Sequence, residues 1–252
     1  HFNQTPLFYG HGTDNAWDEA VNLVLSALHL SPDTDTHVLD AKLTLAERKL
    51  IASYIEKRVK DRIPVPYLIK EAWFAGLNFY VDERVIIPRS PIAELIEEEF
   101  SPWVDATRVD RILDLCTGSG CIAISSALAF PHAIVDAVDI NQDALDVADI
   151  NVKRFGLEEQ VNLIHSDLFE SLGDQKYNII VTNPPYVGTE EYESLPKEYS
   201  HEPKLALEAG KDGLDVVSRI LINAEKFLAP KGILIGEVGF SQEQLEAKYP
   251  EV

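Results

Sequence analysis

Four consecutive residues, Asn183-Pro184-Pro185-Tyr186, combine hydrogen-bond acceptors with a stiff backbone and a flat ring. Asn183 offers a side-chain carbonyl, and Pro184 offers a backbone carbonyl with no N–H of its own. The two prolines restrict the backbone, so the acceptors can be held close together before a substrate arrives. Two converging acceptors fit a planar NH2 group, whose hydrogens point to different partners. Tyr186 adds a wall on which a planar amide or base can lie.

This acceptor pair suits methylation of an amide nitrogen, which is a poor nucleophile because its lone pair is delocalised. Accepting both N–H protons raises the electron density on nitrogen, and it stabilises the positive charge that develops there during transfer. No dedicated base is required, because the methylated amide is strongly acidic while cationic. We therefore expect Asn183, Pro184 and Tyr186 to be catalytic and, together with Pro185, to bind the substrate. The alternative is a proline turn that merely ends a strand.

A glycine-rich loop between a predicted strand and a predicted helix is typical of a nucleotide-cofactor site. Gly118 and Gly120 allow a tight turn and a close approach to a ligand. Asp139 ends the next predicted strand, where a carboxylate can accept both ribose hydroxyls of an adenosine. Asp167-Leu168 follows the third strand, at the position for an adenine contact. The cofactor-binding residues predicted from this pattern are Asp114, Thr117, Gly118, Gly120, Asp139, Asp167, Leu168 and Asn183.

The loop alone does not choose the cofactor, because Gly118, Gly120 and Ala123 also satisfy a dinucleotide pattern. The Asp114 carboxylate would oppose a pyrophosphate but suit ammonium and sulfonium charges. The balance favours S-adenosylmethionine over NAD. Cys116 and Cys121 have no His or other Cys nearby, so no metal site is expected.

Composition bounds the class of protein and its partners. Of 252 residues, 46% are hydrophobic and 25% charged, which excludes a disordered chain. No apolar run approaches the ~18 residues of a membrane span, the first residues lack a secretory pattern, and two cysteines exclude a disulfide framework. A cytoplasmic protein without membrane contact is expected. The net charge of −20 disfavours binding to DNA and serves either solubility or attraction to a basic partner.

The order of elements predicts an α/β fold with a helical N-terminal part. Apolar residues from Trp17 to Leu28 recur at helical spacing, and a second helix begins with a capping box at Thr44 and Glu47 and includes Leu50. Both apolar stripes, with Trp17 and Leu50, are predicted to be buried in the core. Ala72 to Val81 and Arg84 to Ile87 flank Asp82-Glu83, which predicts a β-hairpin. Strands are then expected at Arg111–Cys116, Ile134–Val138, Val161–His165, Asn178–Thr182 and Gly232–Val238, with helices between them, the last over Leu214–Leu228. Such alternation indicates a doubly wound parallel sheet.

Together, Asp114 to Gly120, Asp139, Asp167 and Asn183 to Tyr186 resemble the class I S-adenosylmethionine-dependent methyltransferases that modify protein glutamine on the side-chain nitrogen, the protein-(glutamine-N5) methyltransferases. The resemblance implies that Asn183 and Pro184 bind the substrate amide, that Tyr186 packs against it and that Asp139 binds the cofactor ribose. It also implies a helical N-terminal recognition domain (1–70), a β-hairpin linker (71–91) and a catalytic Rossmann-like domain (92–252). The family's sheet has two further strands, so we expect this chain to lack the last strands.

Two subgroups of that family differ in substrate. Pro88-Arg89-Ser90-Pro91-Ile92 is similar to the subgroup that acts on large-subunit ribosomal protein L-three (the PrmB type), whereas release-factor enzymes usually carry Pro-Arg-Pro-x-Thr-Glu. Tyr9 to Asn15, Cys116 to Cys121 and His201-Glu202-Pro203 indicate the same subgroup. A basic ribosomal protein also suits the acidic chain. Arg89 is predicted to bind the substrate, the alternative being that it only braces the hairpin.

Other functions remain open from the sequence. They are methylation of release-factor glutamine, adenine-N6 methylation of nucleic acid, a dinucleotide-dependent oxidoreductase and a non-catalytic ribosome-assembly factor. An exocyclic adenine amine would meet the same acceptor pair, and Tyr186 would stack on a flipped base. The sequence does not indicate an oligomeric state.

Overall fold

The N-terminal part is helical, as its apolar spacing predicted. The computed structural model describes residues 2–250, apart from the side chains of Thr36 and Leu39, so His1 and Val252, which bound the predicted domains, lie outside the described residues together with Glu251. Its helices are α1 (Ala16–Ala27), α2 (Leu45–Lys60) and α3 (Val65–Ile69).

The capping box at the start of α2 is confirmed. Glu47 N–H donates to the Thr44 hydroxyl at 3.3 Å, and Thr44 N–H donates to the Glu47 carboxylate at 2.6 Å. Leu23 and Ile51 are buried between the helices. The predicted burial of Trp17 and Leu50 is wrong, since they are 75% and 38% exposed. At ~100° per residue, Trp17 points about 120° away from Leu23, and Leu50 about 100° away from Ile51.

A β-hairpin follows the helices, but not where the sequence predicted its turn. Strands β1 (Glu71–Phe74) and β2 (Leu77–Tyr80) are antiparallel and are joined by Ala75-Gly76, both in the left-handed region. Such a two-residue turn matches the twist of the flanking strands. The predicted turn at Asp82-Glu83 lies outside this hairpin, because the Asp82 carboxylate instead accepts from the backbone N–H and the guanidinium of Arg84. The short helix α4 (Ile92–Glu97) comes next.

Five strands form the predicted parallel sheet, in the order β5-β4-β3-β6-β7. They are β3 (Arg111–Leu115), β4 (Ile134–Asp139), β5 (Val161–His165), β6 (Tyr177–Thr182) and β7 (Leu228–Gly236). The central strands β3, β4 and β6 are buried on both faces, because apolar side chains of the helices pack on each side, whereas the edge strands β5 and β7 are partly exposed. This is the expected Rossmann-like, doubly wound architecture.

The remaining helices are α5 (Cys121–Ala129), α6 (Gln142–Phe155), α7 (Thr189–Ser194), α8 (Asp215–Ala224) and α9 (Gln242–Lys248). The helix predicted to run to Leu228 ends at Ala224, and β7 begins four residues earlier than predicted. Tyr177 explains the difference, because its N–H donates to the Phe227 carbonyl at 2.8 Å and thereby draws the following residues into the sheet. Within residues 2–250, no helix is both long and apolar enough to cross a membrane.

Candidate active site

The predicted site residues follow the carboxyl ends of neighbouring strands. After β4 the chain continues to β5 at one edge, whereas β6 pairs with the other side of β3, so the strand order reverses next to β3. A crevice at such a reversal is the usual ligand site of an open α/β sheet. A cavity of about 180 Å³ lies there. The predicted residues that line it are Gly118, Asp139, Asp167, Leu168, Asn183 and Pro185.

Asp139 and Gly118 form the floor of this cavity. The Gly118 N–H donates to one carboxylate oxygen of Asp139 at 2.9 Å, and the Asn141 N–H donates to the other at 2.9 Å. Burial raises the pKa of Asp139. Each oxygen keeps a second lone pair, so the carboxylate can still accept two hydroxyl hydrogens. A Cβ added at Gly118 would meet nothing within 4 Å, which leaves the backbone open to a ligand.

Three of the predicted cofactor residues, Asp114, Thr117 and Gly120, do not line the cavity. Asp114 is fully buried, and one of its oxygens accepts from the Thr117 hydroxyl at 2.6 Å and from the Ala123 N–H at 3.1 Å. Burial raises the pKa of Asp114 to about 7. A Cβ at Gly120 would lie 3.2 Å from that of Ala148, so this glycine allows α5 and α6 to pack closely. These residues shape the loop; Asp114 is not among the residues that line the cavity, and its second oxygen, Oδ1, is buried without a partner among the described residues.

A residue that the sequence analysis missed completes the far wall. Arg219 of α8 places a guanidinium nitrogen 2.9 Å from the Asp167 carboxylate, and both residues line the cavity. Leu168 lies beside them in the left-handed region, which turns the chain sharply after β5. Arg219 carries no motif and lies far away in sequence, so only the fold identifies it.

Asn183 lines both this cavity and a second, smaller recess. Asn183, Pro184, Tyr186 and Arg89 are among the residues that line the recess. Among residues 2–250, neither the Asn183 carboxamide nor the Pro184 carbonyl makes a hydrogen bond. Both predicted acceptors are therefore available to a ligand, and Asn183 lines both the cavity and the recess.

The Tyr186 side chain is tethered at its phenol. Its O–H donates to Glu237 Oε1 at 2.7 Å. Burial and the neighbouring Glu237 charge raise the pKa of Tyr186, so the phenol stays neutral at physiological pH. Because its proton is engaged, the phenol oxygen faces any substrate as an acceptor only.

Arg89 is held firmly at the recess. Its terminal nitrogens donate to the two oxygens of Glu202 at 2.6 and 2.9 Å, and its guanidinium lies over the ring of Tyr199. Glu202 also accepts from the Ile87 N–H at 2.9 Å, and His11 Nε2 lies 3.6 Å away. Burial alone would raise the pKa of Glu202, but the contacts with His11 and Arg89 lower it to about 2. Arg89 thus braces the linker and also borders the recess.

A second buried glutamate connects the same segment to the N-terminal helices. Glu198 accepts from Arg58 at 3.0 Å and from the Phe8 N–H at 3.0 Å. Arg58, on α2 and 1% exposed, also donates to Glu19 on α1 at 2.8 Å. Burial alone would raise the pKa of Glu198, but the Phe8 and Arg58 hydrogen bonds lower it. The segment from Lys197 to Pro203, named here the glutamate segment, therefore joins the helical part to the recess.

The two cysteines are free. Cys116 lines the cavity, and burial raises the pKa of both thiols, that of Cys121 to about 12. Thiols that stay protonated are poor nucleophiles and poor metal ligands. Within the described residues, no three His, Cys, Asp or Glu side chains are grouped so that they could hold a metal ion.

Comparison with solved structures supports the fold. The hMettl16 catalytic domain in complex with MAT2A 3'UTR hairpin 6 superimposes with a TM-score of 0.54 at 16% identity, covering 82% of this chain and 73% of that chain. The same domain in complex with MAT2A 3'UTR hairpin 1 gives a TM-score of 0.51 at 17% identity, over 82% and 72%. At these identities the likeness concerns architecture alone.

Sequence comparison identifies the family. The family model described as methyltransferase small domain matches residues 101–197. The protein of Neisseria meningitidis serogroup A strain Z2491 named ribosomal protein uL3 glutamine methyltransferase is 54% identical over 252 residues, which are 100% of this chain and 83% of that protein. The protein of the same name from Francisella tularensis strain SCHU S4 is 50% identical over 247 residues, 98% and 79%. With its strand-end crevice and paired acceptors, the chain belongs to the family of ribosomal protein uL3 glutamine methyltransferases.

Proposed function

We propose that this chain methylates the side-chain amide nitrogen of a glutamine in ribosomal protein uL3, with S-adenosylmethionine as the methyl donor. The observation that carries the proposal is the position of Asn183 between the cavity and the recess, with its carboxamide and the Pro184 carbonyl both unengaged among the described residues. A cofactor in the cavity and a carboxamide in the recess would meet at this residue. The names of the relatives, at 54% and 50% identity, supply the substrate.

The cavity residues suit this cofactor. Asp139 offers acceptors for ribose hydroxyls, Gly118 leaves room for a close backbone approach, and Leu168 and Pro185 provide apolar surface for a purine. Asp167, fixed by Arg219, keeps acceptor capacity for an exocyclic amine. When bound, S-adenosylmethionine supplies a methyl group on a positively charged sulfur.

The recess residues activate the acceptor nitrogen. Asn183 Oδ1 and the Pro184 carbonyl each accept one amide proton, and Tyr186 supports the amide plane. With the methyl group that the bound cofactor would supply, the nitrogen lone pair would form the new N–C bond, and the electron pair of the C–S bond that breaks would stay with sulfur. Positive charge thereby moves onto nitrogen, where the two acceptors stabilise it more strongly than they stabilise the neutral amide. The cationic product then loses one proton to water and becomes a neutral N-methyl amide.

The acidic chain and the helical N-terminal part suit a basic protein substrate. A net charge of −20 attracts a positively charged ribosomal protein and repels free nucleic acid. The N-terminal helices are fixed to the glutamate segment through Glu198 and Arg58, and the same segment holds Arg89 of the recess through Glu202, so a substrate bound on the helices would hold its glutamine in a defined position. We therefore assign substrate recognition to residues 1–70 and catalysis to residues 92–252.

The test is mass spectrometry of unmethylated uL3, unmethylated release factor and a DNA duplex, each incubated with the chain and S-adenosylmethionine. We expect a gain of one methyl group on a single glutamine of uL3 and no methylation of DNA. Methylation of the release factor in preference to uL3 would overturn the substrate assignment. Failure to methylate any of the three would overturn the proposed activity.

A further inference from the structure

The residues that follow β7 approach Tyr186 at its phenol. Glu237 comes directly after this strand, and its N–H donates to the Thr182 carbonyl at 3.0 Å, which continues the sheet pairing with β6 by one step. This bond places the Glu237 side chain beside the start of the Asn-Pro-Pro-Tyr motif. Its Oε1 accepts the Tyr186 phenol proton at 2.7 Å, and its Oε2 is buried without a partner among the described residues.

The same segment encloses the rest of Tyr186. A Cβ at Gly239 would lie 2.4 Å from ring atom Cε2 of Tyr186, so only a glycine lets the chain pass this close to the ring. The Ser241 hydroxyl donates to the Tyr186 carbonyl at 3.0 Å. On the other side, a Cβ at Gly213 would lie 2.2 Å from that carbonyl oxygen. Tyr186 is thus fixed at its phenol, its ring and its backbone by parts of the chain that the sequence analysis did not connect with it.

We infer that Glu237 is a positioning residue for the methyl-accepting amide and acts through the Tyr186 ring. The inference rests on the proposed function, in which that ring is the surface on which the substrate amide lies. The tilt of the ring sets the plane of the amide and hence the direction of the nitrogen lone pair. A misplacement of about 1 Å at a reacting group can cost ~100-fold in rate. The Glu237 hydrogen bond removes the rotation and tilting that would produce such a misplacement.

Three variants test this role with unmethylated uL3 as substrate. Glu237→Ala removes the acceptor, Glu237→Gln retains an oxygen acceptor without the charge, and Tyr186→Phe removes the donor. We expect Glu237→Ala and Tyr186→Phe to lower kcat by ~10- to 100-fold, while Glu237→Gln stays within about threefold of the unmodified chain. The double variant Tyr186→Phe with Glu237→Ala should be no slower than Glu237→Ala alone, because both changes remove one shared bond. Cofactor affinity, measured by calorimetry, should be unchanged in all of them.

Glu243→Ala is the matched control, since it removes an exposed glutamate from the neighbouring helix α9. Normal kcat in Glu237→Ala, equal losses in Glu237→Ala and Glu237→Gln, or additive losses in the double variant would each overturn the inference. If Glu237→Ala fails to fold, Tyr186→Phe and Glu237→Gln still give opposite expectations. A wild-type chain that does not methylate uL3 would contradict the proposed function instead, so the two failures are distinguishable.

Discussion

The carboxylate of Glu202 accepts hydrogen bonds from both terminal nitrogens of Arg89, 113 positions earlier in the chain. Bidentate pairs of this kind fix orientation as well as position. Arg89 therefore presents one defined face to the recess that contains Asn183 and Pro184. Arg89 Nη1 also donates to the Ile87 carbonyl at 2.9 Å. The bracing and substrate-binding interpretations of Arg89 do not exclude each other, because the guanidinium retains the Nε–H and the second Nη2–H as donors.

Replacing Asn183 by alanine should abolish methyl transfer and leave cofactor binding nearly intact. The change removes one of two acceptors that stabilise the charge developing on the amide nitrogen, and loss of a comparable single group costs ~100- to 1000-fold in other enzymes. Transfer of a labelled methyl group to uL3 measures the first effect, and calorimetry with S-adenosylmethionine measures the second. Asn3→Ala, at an exposed position of the N-terminal part, is the control. Activity equal to that of the control would contradict the mechanism.

Replacing Asp139 by alanine should weaken S-adenosylmethionine binding at least ~10-fold, because two charge-assisted hydrogen bonds to the ribose are lost. Cofactor affinity should also depend on pH. Burial raises the pKa of Asp139, and the ionised form is the better acceptor, so affinity should fall on acidification and begin to fall at a higher pH than for an exposed aspartate. Calorimetry across a pH series measures this. A pH-independent affinity would argue against Asp139 as the ribose ligand.

Replacing Asp114 by asparagine should flatten the dependence of stability on pH. Burial raises the pKa of Asp114 from 3.8 to about 7, so the folded state holds this proton more tightly than the unfolded state. The resulting stability is fully present below pH ~4 and is lost as the pH rises through about 7, with a total change on the order of 4 kcal/mol. An asparagine side chain has nearly the same shape and stays neutral at every pH. Urea unfolding at pH 5 and pH 8 should show a smaller difference for Asp114→Asn than for the unmodified chain.

Replacing Arg58 by alanine should destabilise the fold by about 3–5 kcal/mol. The change leaves Glu19 buried without its cation and leaves Glu198 with only the more distant Arg62, 3.4 Å away, and removing one partner from a buried ion-pair network is costly. Urea unfolding measures the loss. Lys60→Ala on the same helix is the control, because it breaks only an exposed pair with Glu56 and should leave the unfolding midpoint unchanged. Equal midpoints for the two variants would show that the buried network does not stabilise the fold.

Replacing Gly239 by alanine should lower methyl transfer by displacing the Tyr186 ring, since the new Cβ would lie 2.4 Å from it. Cofactor affinity should stay normal because this glycine does not line the cavity. Gly76→Ala is a matched control, since Gly76 also has a positive φ but a Cβ there would meet nothing within 4 Å. Comparing kcat for the two variants separates collision with Tyr186 from backbone strain. A similar loss of kcat in Gly239→Ala and Gly76→Ala would show that backbone strain, not collision with Tyr186, causes the effect.

The sequence was sufficient to predict features that depend on neighbouring residues. The parallel sheet followed from apolar strands separated by helices, and the capping box followed from Thr44 and Glu47 three positions apart. The hairpin turn was misplaced because Asp82-Glu83 has the usual composition of a turn, whereas Ala75-Gly76 forms one. Alanine at the first position of that turn gave no signal, since it rarely adopts the left-handed region.

Site residues that belong to a short sequence motif could be predicted, whereas residues that only the tertiary fold brings to the site could not. Asn183, Gly118 and Asp139 belong to short patterns with their own chemistry. Arg219 and Glu237 belong to no such pattern, and they reach the site because α8 and the end of β7 lie beside it in space. Asp114 and Gly120 were placed in the cavity because a motif shows which residues form a loop but not which side of it each faces.

The glutamate segment has a consequence for engineering new specificity in this family. Glu198 is tied to residues of the N-terminal helices and Glu202 to the linker, so one short stretch carries the contacts of two other modules. A chimera that exchanged residues 1–70 alone would replace Arg58 and Phe8, and the buried Glu198 carboxylate would lose the hydrogen bonds that they donate. If residues 1–70 recognise the substrate, as proposed, retargeting by chimera therefore requires that residues 197–203 be transplanted along with the donor's helices, even though they lie within residues 92–252, to which we assign catalysis.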